Sequence, residues 1–126
     1  MSFTIKNLRE VEDMAAKQGF SEMQEARFAH GDLDAEQTGV SLQYVKPGKR
    51  HAFGHRHKEA EEIYLVLAGG GRAKLDDELV EVRPMDAIRV APPVVRAFEA
   101  GPDGLELLVF GPRRPGDAEV VQNVSW

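Results

Sequence analysis

Three histidines and three glutamates fall within one short stretch of this 126-residue chain, which reads HAFGHRHKEAEEIYLVLAGGG from position 51. If residues 51–57 form a strand, alternate side chains face the same side. His55 and His57 then lie about 7 Å apart and can chelate one ion. A carboxylate from the next strand would complete a set of nitrogen and oxygen donors that suits iron, manganese, nickel, zinc or copper. The spacing therefore predicts a divalent transition-metal site.

The period of the next strand selects the carboxylate. Glu62 shares one face of that strand with Tyr64 and Val66, whereas Glu61 lies on the opposite face. We predict His55, His57 and Glu62 as the metal ligands. His51 lies on the same extended face as the other histidines and is a candidate additional ligand. A His-x-His pair alone is common in polar surface hairpins, so the added glutamate is what favours a metal.

The elements that position these residues are mostly short strands. A helix is predicted over 7–19, with Asn7 as its cap and Gly19 at its end. The candidate strands span 22–29, 38–45, 51–57, 61–68, 71–75, 78–83, 86–91, 94–99 and 105–110, with a further short strand over 118–124. Gly69-Gly70-Gly71 is interpreted as a hairpin turn. Closely spaced strands without helices between them favour an all-β antiparallel sandwich or barrel.

Composition narrows the class of protein. The chain has no cysteine and a formal net charge of −5. Disulfides and thiolate metal sites are therefore excluded, and a general nucleic-acid or anionic-membrane binder is disfavoured. No apolar run is long enough for a signal peptide or a membrane span. We expect a cytoplasmic protein with no nucleic-acid or membrane partner.

Two motifs give the sequence a family resemblance. It resembles a small single-domain cupin of the conserved-barrel cupin-2 type, because Gly48, the pair His55 and His57, Glu62 and Gly69 match the first cupin motif. The second motif is similar to the stretch VRPMDAIRVAPPVVRAFEA at 82–100. The resemblance implies a jelly-roll β-barrel over 21–111 with a ligand cavity, and often a homodimer. Residues 1–20 would then carry the short helix, and 112–126 would form a tail.

The second motif departs from the family at one position. The family has a fourth metal ligand there, a histidine, where this chain has Arg96, and an arginine has no lone pair to donate. A unit charge about 6 Å from a divalent ion costs up to about 5 kcal/mol. Arg96 could oppose the metal, pair with Glu62 or orient an acidic substrate. It could also turn outwards, to Glu99 or Glu106.

Two functions are compatible with this pattern. The resemblance implies a metal-dependent enzyme that acts on a small, acidic molecule in the barrel cavity, with dioxygenase and isomerase as the candidate activities. Arg96 and Tyr64 are the candidate catalytic residues. The alternative is a metal-free or non-catalytic small-molecule-binding cupin. In both cases Ile63, Leu65 and Leu67 form an apolar stripe that faces away from the cavity, which favours a homodimer.

Overall fold

The computed structural model describes residues 2–126, which form eight strands and three short helical segments. The strands are β1 (Gln24–Phe28), β2 (Thr38–Val45), β3 (Gly54–His57), β4 (Glu62–Leu75), β5 (Glu78–Val82), β6 (Ala87–Val90), β7 (Arg96–Pro112) and β8 (Ala118–Val121). The helical segments are a 3₁₀ helix (Leu8–Glu10), α1 (Met14–Lys17) and α2 (His30–Leu33). None of the helices in this part of the chain is long and apolar enough to cross a membrane.

All strand pairs are antiparallel and belong to one curled sheet. The strand order is β1-β2-β7-β3-β8, and β4 pairs with β5, β6 and β7. The two longest strands, β4 and β7, pair along most of their lengths. The second half of β7 also pairs with β2, and Arg96 at its start pairs with His55 on β3. This arrangement confirms the predicted all-β jelly-roll barrel with a short N-terminal helix.

The glycine run at 69–71 lies inside a strand. The sequence predicted a hairpin turn there, and that prediction is wrong: β4 continues through the run, with irregular register against β7 at Val66/Ala68 and Gly69/Gly71. A Cβ at Gly69 would collide with the backbone carbonyl of Gly104, and one at Gly71 with that of Glu99. The missing side chains therefore let the two long strands bend together at close range.

The N-terminal helix is shorter than predicted. Instead of one helix over 7–19, a 3₁₀ turn capped by Asn7 is followed by extended backbone at Val11 and then by α1. Asp13 caps α1, because its Oδ1 accepts the backbone N–H of Ala15. The same oxygen accepts the N–H of Ala26 on β1. Asp13 therefore ties the start of α1 to β1.

The C-terminal segment adds a strand to the sheet. The predicted strand at 118–124 is present as β8, which pairs with β3 over its whole length. His55 lies opposite Val120, and His57 opposite Ala118. The chain end therefore flanks the strand that carries both histidines.

The core fills the barrel on one side of a remaining cavity. The interior face of β4 carries Tyr64 and Val66, which are buried, as the two-residue period predicts. The other buried members of the cluster are Val45, Ala73, Val82, Val90, Phe98, Ala100, Leu105, Leu107 and Val109. The packed core leaves Glu62, at the start of β4, as the polar end of this interior row.

Candidate metal centre and barrel cavity

The three predicted ligands meet inside the barrel. His55 and His57 project from the same face of β3, with their rings 5.2 Å apart. Oε1 of Glu62 lies 3.2 Å from Nε2 of His55 and 3.3 Å from Nε2 of His57. One ligand atom from each residue lies within 4.8 Å of the other two. This cluster could hold a metal ion.

The spacing of these atoms fits a transition metal. Ligand atoms about 2.0–2.2 Å from one ion lie about 3.0–3.5 Å from one another in tetrahedral or octahedral geometry. Both histidine-to-glutamate distances fall in that range. Two imidazole nitrogens and one carboxylate form a borderline donor set, which suits iron, manganese, nickel, zinc or copper. Three protein ligands also leave positions open for a substrate.

Asp117 fixes the orientation of His57, and the sequence did not reveal it. Oδ2 of Asp117 lies 3.1 Å from Nδ1 of His57. The same carboxylate accepts the backbone N–H groups of Glu59 and Ala60 at 3.0 and 2.9 Å. Burial acts to raise the pKa of Asp117, but these hydrogen bonds outweigh it and hold the pKa below its usual value. Asp117 is therefore ionised, and His57 donates its Nδ1–H to it.

In this tautomer the lone pair of His57 is on Nε2, the nitrogen that faces Glu62. Nε2 of His57 is buried and has no hydrogen-bond partner among residues 2–126. In the neutral ring it carries a lone pair, and it lies 3.3 Å from a carboxylate oxygen, which also only accepts. Two facing acceptors repel each other unless a proton or a metal cation lies between them. The pair is thus satisfied in one of two states, imidazolium or metal-bound.

The charges in the cluster are strongly coupled. The neighbouring Glu62 carboxylate raises the pKa of His57 above its usual value, against the effect of burial. Burial acts to raise the pKa of Glu62, but the imidazoles of His55 and His57 outweigh it and hold that pKa far below its usual range. Glu62 is accordingly ionised at neutral pH, as a metal ligand must be.

Tyr64 contacts the same carboxylate. Its hydroxyl donates to Oε1 of Glu62 at 2.8 Å and lies 3.4 Å from Nε2 of His55. Burial and the adjacent Glu62 charge raise the pKa of Tyr64 well above its usual value. The phenol therefore stays protonated, and its present role is to orient Glu62.

Arg96 lies inside the barrel, with only 1% of its surface exposed. Its Nη2 donates to the carbonyl of Ala91 at 2.9 Å, and its Nη1 lies 3.6 Å from Oε1 of Glu62. The latter is an ion pair without a hydrogen bond, so a bidentate pair with Glu62 does not form. Nε and Nη1 have no hydrogen-bond partner among the described residues.

The outward alternatives for Arg96 are not observed. Glu99 pairs with Arg50 and Arg72, and Glu106 pairs with Arg9. Arg96 therefore adds its positive charge to the interior cluster, at the position where the family pattern has a fourth ligand.

His51 is not part of the three-residue cluster. The predicted strand over 51–57 begins only at Gly54, and the backbone of His51 pairs with Phe98 on β7 instead. Nδ1 of His51 accepts the N–H of Phe98 at 3.1 Å. Burial lowers the pKa of His51 to about 3, so the ring is neutral and Nε2 carries the proton. In this state His51 offers a hydrogen-bond donor, whereas a ligand must offer a lone pair.

A cavity of about 270 Å³ opens beside the cluster. It reaches His55, His57 and Glu62 at one place and is bounded elsewhere mainly by apolar side chains. The lining residues are Gln24, Ala26, Phe28, His30, Gly39, Val40, Ser41, Gln43, His51, Phe53, His55, His57, Glu62, Val109, Phe110, Gly111, Pro112, Ala118 and Val120. Neither Arg96 nor Tyr64 lines it; both contact Glu62, which does.

Solved structures place this fold among known proteins. A cupin protein from Bacteroides fragilis aligns with a TM-score of 0.73 at 21% identity, over 99% of this chain and 92% of its own. The chain has a small cupin fold. A polyketide cyclase from Streptomyces resistomycificus aligns with a TM-score of 0.75 at 21% identity, over 98% and 87% of the two chains. No protein-family model and no curated protein sequence matches this chain.

A third solved structure carries a different enzyme name on the same architecture. It is a sugar phosphate isomerase of the cupin superfamily from Silicibacter pomeroyi, with a TM-score of 0.71 at 22% identity, over 95% of this chain and 83% of its own. At this level of identity the likeness shows the fold alone. The function of this chain has to be inferred from its own site.

Proposed function

We propose that this cupin is a metal-dependent enzyme that binds a divalent transition metal through His55, His57 and Glu62 and acts on a small anionic molecule in the barrel cavity. The observation that carries the proposal is the buried Nε2 of His57. Asp117 engages the opposite nitrogen, and Nε2 faces a carboxylate oxygen at 3.3 Å. A metal cation bound by these two acceptors would remove their repulsion. His55 would be its third protein ligand.

The charges around the site favour an anionic substrate. Glu62 and Asp117 carry two negative charges and Arg96 carries one positive charge, so the set sums to −1 with neutral histidines. A divalent ion changes this sum to +1. With a histidine at position 96, the same sum would be zero. Arg96 therefore leaves one positive charge for a bound anion to neutralise, although its side chain does not line the cavity.

The metal would supply Lewis acidity, polarising a substrate oxygen and stabilising negative charge that develops on the substrate. The protein positions the remaining groups. Tyr64 holds Oε1 of Glu62, and Asp117 holds His57. Isomerase and dioxygenase are the reaction classes we propose, and the isomerase and cyclase names of structurally similar cupins support an enzymatic role.

A metal-free binding protein is the second candidate. Its support is the raised pKa of His57, since an imidazolium would satisfy Glu62 without a metal. Tyr64 and Arg96 already contact the same carboxylate oxygen. In this state the set of charges sums to zero, and the cavity would bind a neutral molecule.

Metal titration of two matched variants tests the proposal. His57→Ala removes one of three ligands, so we expect nickel or zinc affinity to fall by more than about a hundredfold, beyond the effect of losing an outer-shell group. Glu61→Ala is the control, because Glu61 is exposed and pairs with Arg89 outside the barrel. Calorimetry of metal-stripped protein measures both.

The outcome distinguishes the two candidates. If the wild type binds none of nickel, zinc, copper, iron and manganese, the metal-dependent proposal is wrong and the metal-free one stands. Equal losses in both variants would mean that the carboxylate of the site was wrongly assigned.

We also propose that the protein is a homodimer. Ile63 and Leu65 are half-buried on the outer face of β4, and Leu67 is 38% exposed. A second copy that covers this stripe would remove apolar surface from water. Light scattering at micromolar concentration should give twice the chain mass of 14.0 kDa, and Leu67→Lys should lower it. A wild-type mass near that of a single chain contradicts the proposal.

A further inference from the structure

A second group of polar side chains lines the same cavity as the metal ligands. Gln24 on β1 and Ser41 and Gln43 on β2 are 8%, 5% and 9% exposed, and all three line the cavity. His51 joins them from the segment before β3. We call these four residues the polar wall. Polar groups are rarely buried beside an apolar cavity unless hydrogen bonds satisfy them.

Gln24 and His51 each use only one side of their polar group. Oε1 of Gln24 accepts the backbone N–H of Ala52 at 2.8 Å, which fixes the orientation of the amide. Nδ1 of His51 accepts the N–H of Phe98. No hydrogen bond within residues 2–126 uses the amide NH₂ of Gln24 or the Nε2–H of His51. Two donors therefore remain for a molecule in the cavity.

Ser41 and Gln43 also have hydrogen-bond donors and acceptors that are free for a ligand. Nε2 of Gln43 lies 3.1 Å from Oγ of Ser41. If Gln43 donates, its carbonyl remains as an acceptor and the Ser41 hydroxyl remains as a donor. If the amide is reversed, the NH₂ remains as a donor and the Ser41 oxygen as an acceptor. In both orientations the pair offers at least one donor and one acceptor.

We propose that the polar wall binds an oxygen function of the substrate, so that the cavity selects a small acid with an apolar or aromatic body and a hydroxyl or carbonyl group away from its anionic end. The anionic end rests on the proposed function, because it requires the metal centre and the charge of Arg96. The apolar body is matched by Phe28, Phe53, Val109 and Phe110, which also line the cavity.

The physical basis is the asymmetry of buried hydrogen bonds. A site built to hydrogen-bond an oxygen discriminates strongly against an analogue that lacks it, because the analogue displaces water and leaves the buried donors unpaired. An apolar wall at the same place would show no such preference.

Two acids that differ by a single hydroxyl provide the test. Calorimetry of zinc-loaded protein with para-hydroxyphenylpropanoate and with phenylpropanoate compares a ligand with and without the oxygen function. We expect the hydroxylated acid to bind about tenfold more tightly, the effect of roughly one buried hydrogen bond. Equal affinities, or no binding of either acid, would overturn the proposal.

Variants of the wall locate the effect. Gln43→Met and Ser41→Ala each remove part of the polar wall with little change in volume, so the affinity ratio of the two acids should fall, although the donors of Gln24 and His51 remain. Phenylpropanoate should bind the variants at least as tightly as the wild type, because fewer wall donors are then left unpaired, and circular dichroism checks that the variants are folded. Gln122→Met, at an exposed site, is the control and should keep the wild-type ratio. A ratio that is unchanged in the wall variants contradicts the assignment.

The neutral amide of para-hydroxyphenylpropanoate separates this proposal from the proposed function. If the metal centre and Arg96 bind the anion, the amide should bind more weakly than the acid.

If zinc does not bind, the proposed function fails, and the amide and its unhydroxylated analogue are compared on metal-free protein. A preference for the hydroxyl there still supports the polar wall, and equal affinity overturns it.

Discussion

Two arginine–glutamate contacts on β7 differ in almost every respect. Glu99 faces the surface, where it receives Nε of Arg50 at 2.6 Å and both Nε and Nη2 of Arg72 at 2.9 and 2.6 Å. Arg96, three residues earlier on the same strand, faces the interior. Its closest approach to Glu62 is 3.6 Å, without a hydrogen bond.

The outer contact has the features of a structural ion pair. The Glu99 carboxylate is fully engaged by two guanidinium groups, which lower its pKa. The inner contact leaves Nε and Nη1 of Arg96 without partners, although the side chain is 1% exposed. A buried charge that is incompletely hydrogen-bonded is costly to stability. Such a cost is characteristic of sites where the interior must accept a ligand.

Arg96→His should have the largest effect among the tests of this contrast between the inner and outer contacts. The change adds a nitrogen donor at the position of the family's fourth ligand and removes an adjacent positive charge. Both effects strengthen metal binding. Removal of the charge alone is worth up to about 5 kcal/mol, or about four decades of affinity. Calorimetric titration with nickel or zinc measures the gain.

The matched control for this change is Arg72, one of the two arginines that pair with Glu99 on the outer face of β7. We call the contacts of Glu99 with Arg50 and Arg72 the outer pair. Arg72→His removes an arginine from Glu99 but leaves the barrel interior untouched, so metal affinity should stay the same. An Arg96→His variant that binds metal no better than the wild type would show that the guanidinium does not act on the metal centre. An anionic ligand should also bind more weakly to Arg96→His, because the extra charge that favoured it is gone.

A smaller effect is expected at Asp117, which ties the C-terminal segment to the inner cluster. Asp117→Asn keeps the shape of the side chain but weakens the acceptor for Nδ1 of His57. It also replaces one of the two oxygens that accept the N–H groups of Glu59 and Ala60 with an NH₂ group. Loss of such an outer-shell partner typically costs about tenfold to a hundredfold in metal affinity. Asp103→Asn, at an exposed position, is the control. Unchanged affinity in Asp117→Asn would mean that His57 needs no partner to bind metal.

The pH dependence of the inner cluster has a definite sign. The folded-state pKa of His57 is raised above 6.5, so its stabilisation of the metal-free protein is complete below pH 6.5 and is lost as the pH rises through the folded value. Metal binding requires the deprotonated ring, so metal affinity should rise over the same range. Thermal unfolding with and without zinc, below and well above pH 6.5, should show a widening difference. Parallel curves would contradict the assignment of His57.

The fold and the first ligands could be predicted because the sequence pattern acts locally. The two-residue period of β3 and β4 was enough to place His55, His57, Glu62 and Tyr64 on the interior face. The family resemblance then supplied the barrel. The same local reasoning failed at Gly69–Gly71, because a bend forced by close backbone approach leaves the same glycine signal as a turn.

Other features depend on contacts between distant parts of the chain. Asp117 lies 60 positions from His57 and looks like one more acidic residue in a polar tail. His51 has the right period for a ligand, but its pairing with Phe98 shifts it out of the cluster. The unpaired nitrogens of Arg96 follow only from the complete packing around them. Site residues that act through tertiary hydrogen bonds are therefore beyond the reach of spacing alone.

The smallest effect is expected at the outer pair itself. Glu99→Gln removes the charge that Arg50 and Arg72 share, but the two arginine side chains are 48% and 39% exposed, so solvent screens the interaction. We expect the free energy of unfolding to fall by about 1 kcal/mol, measured by urea denaturation and reduced further at high salt. Metal affinity should be unchanged, because no group of the outer pair reaches the cavity. If Glu99→Gln weakened metal binding as much as Asp117→Asn does, the two faces of β7 would be energetically coupled, and the distinction between a structural outer pair and a functional inner cluster would be wrong.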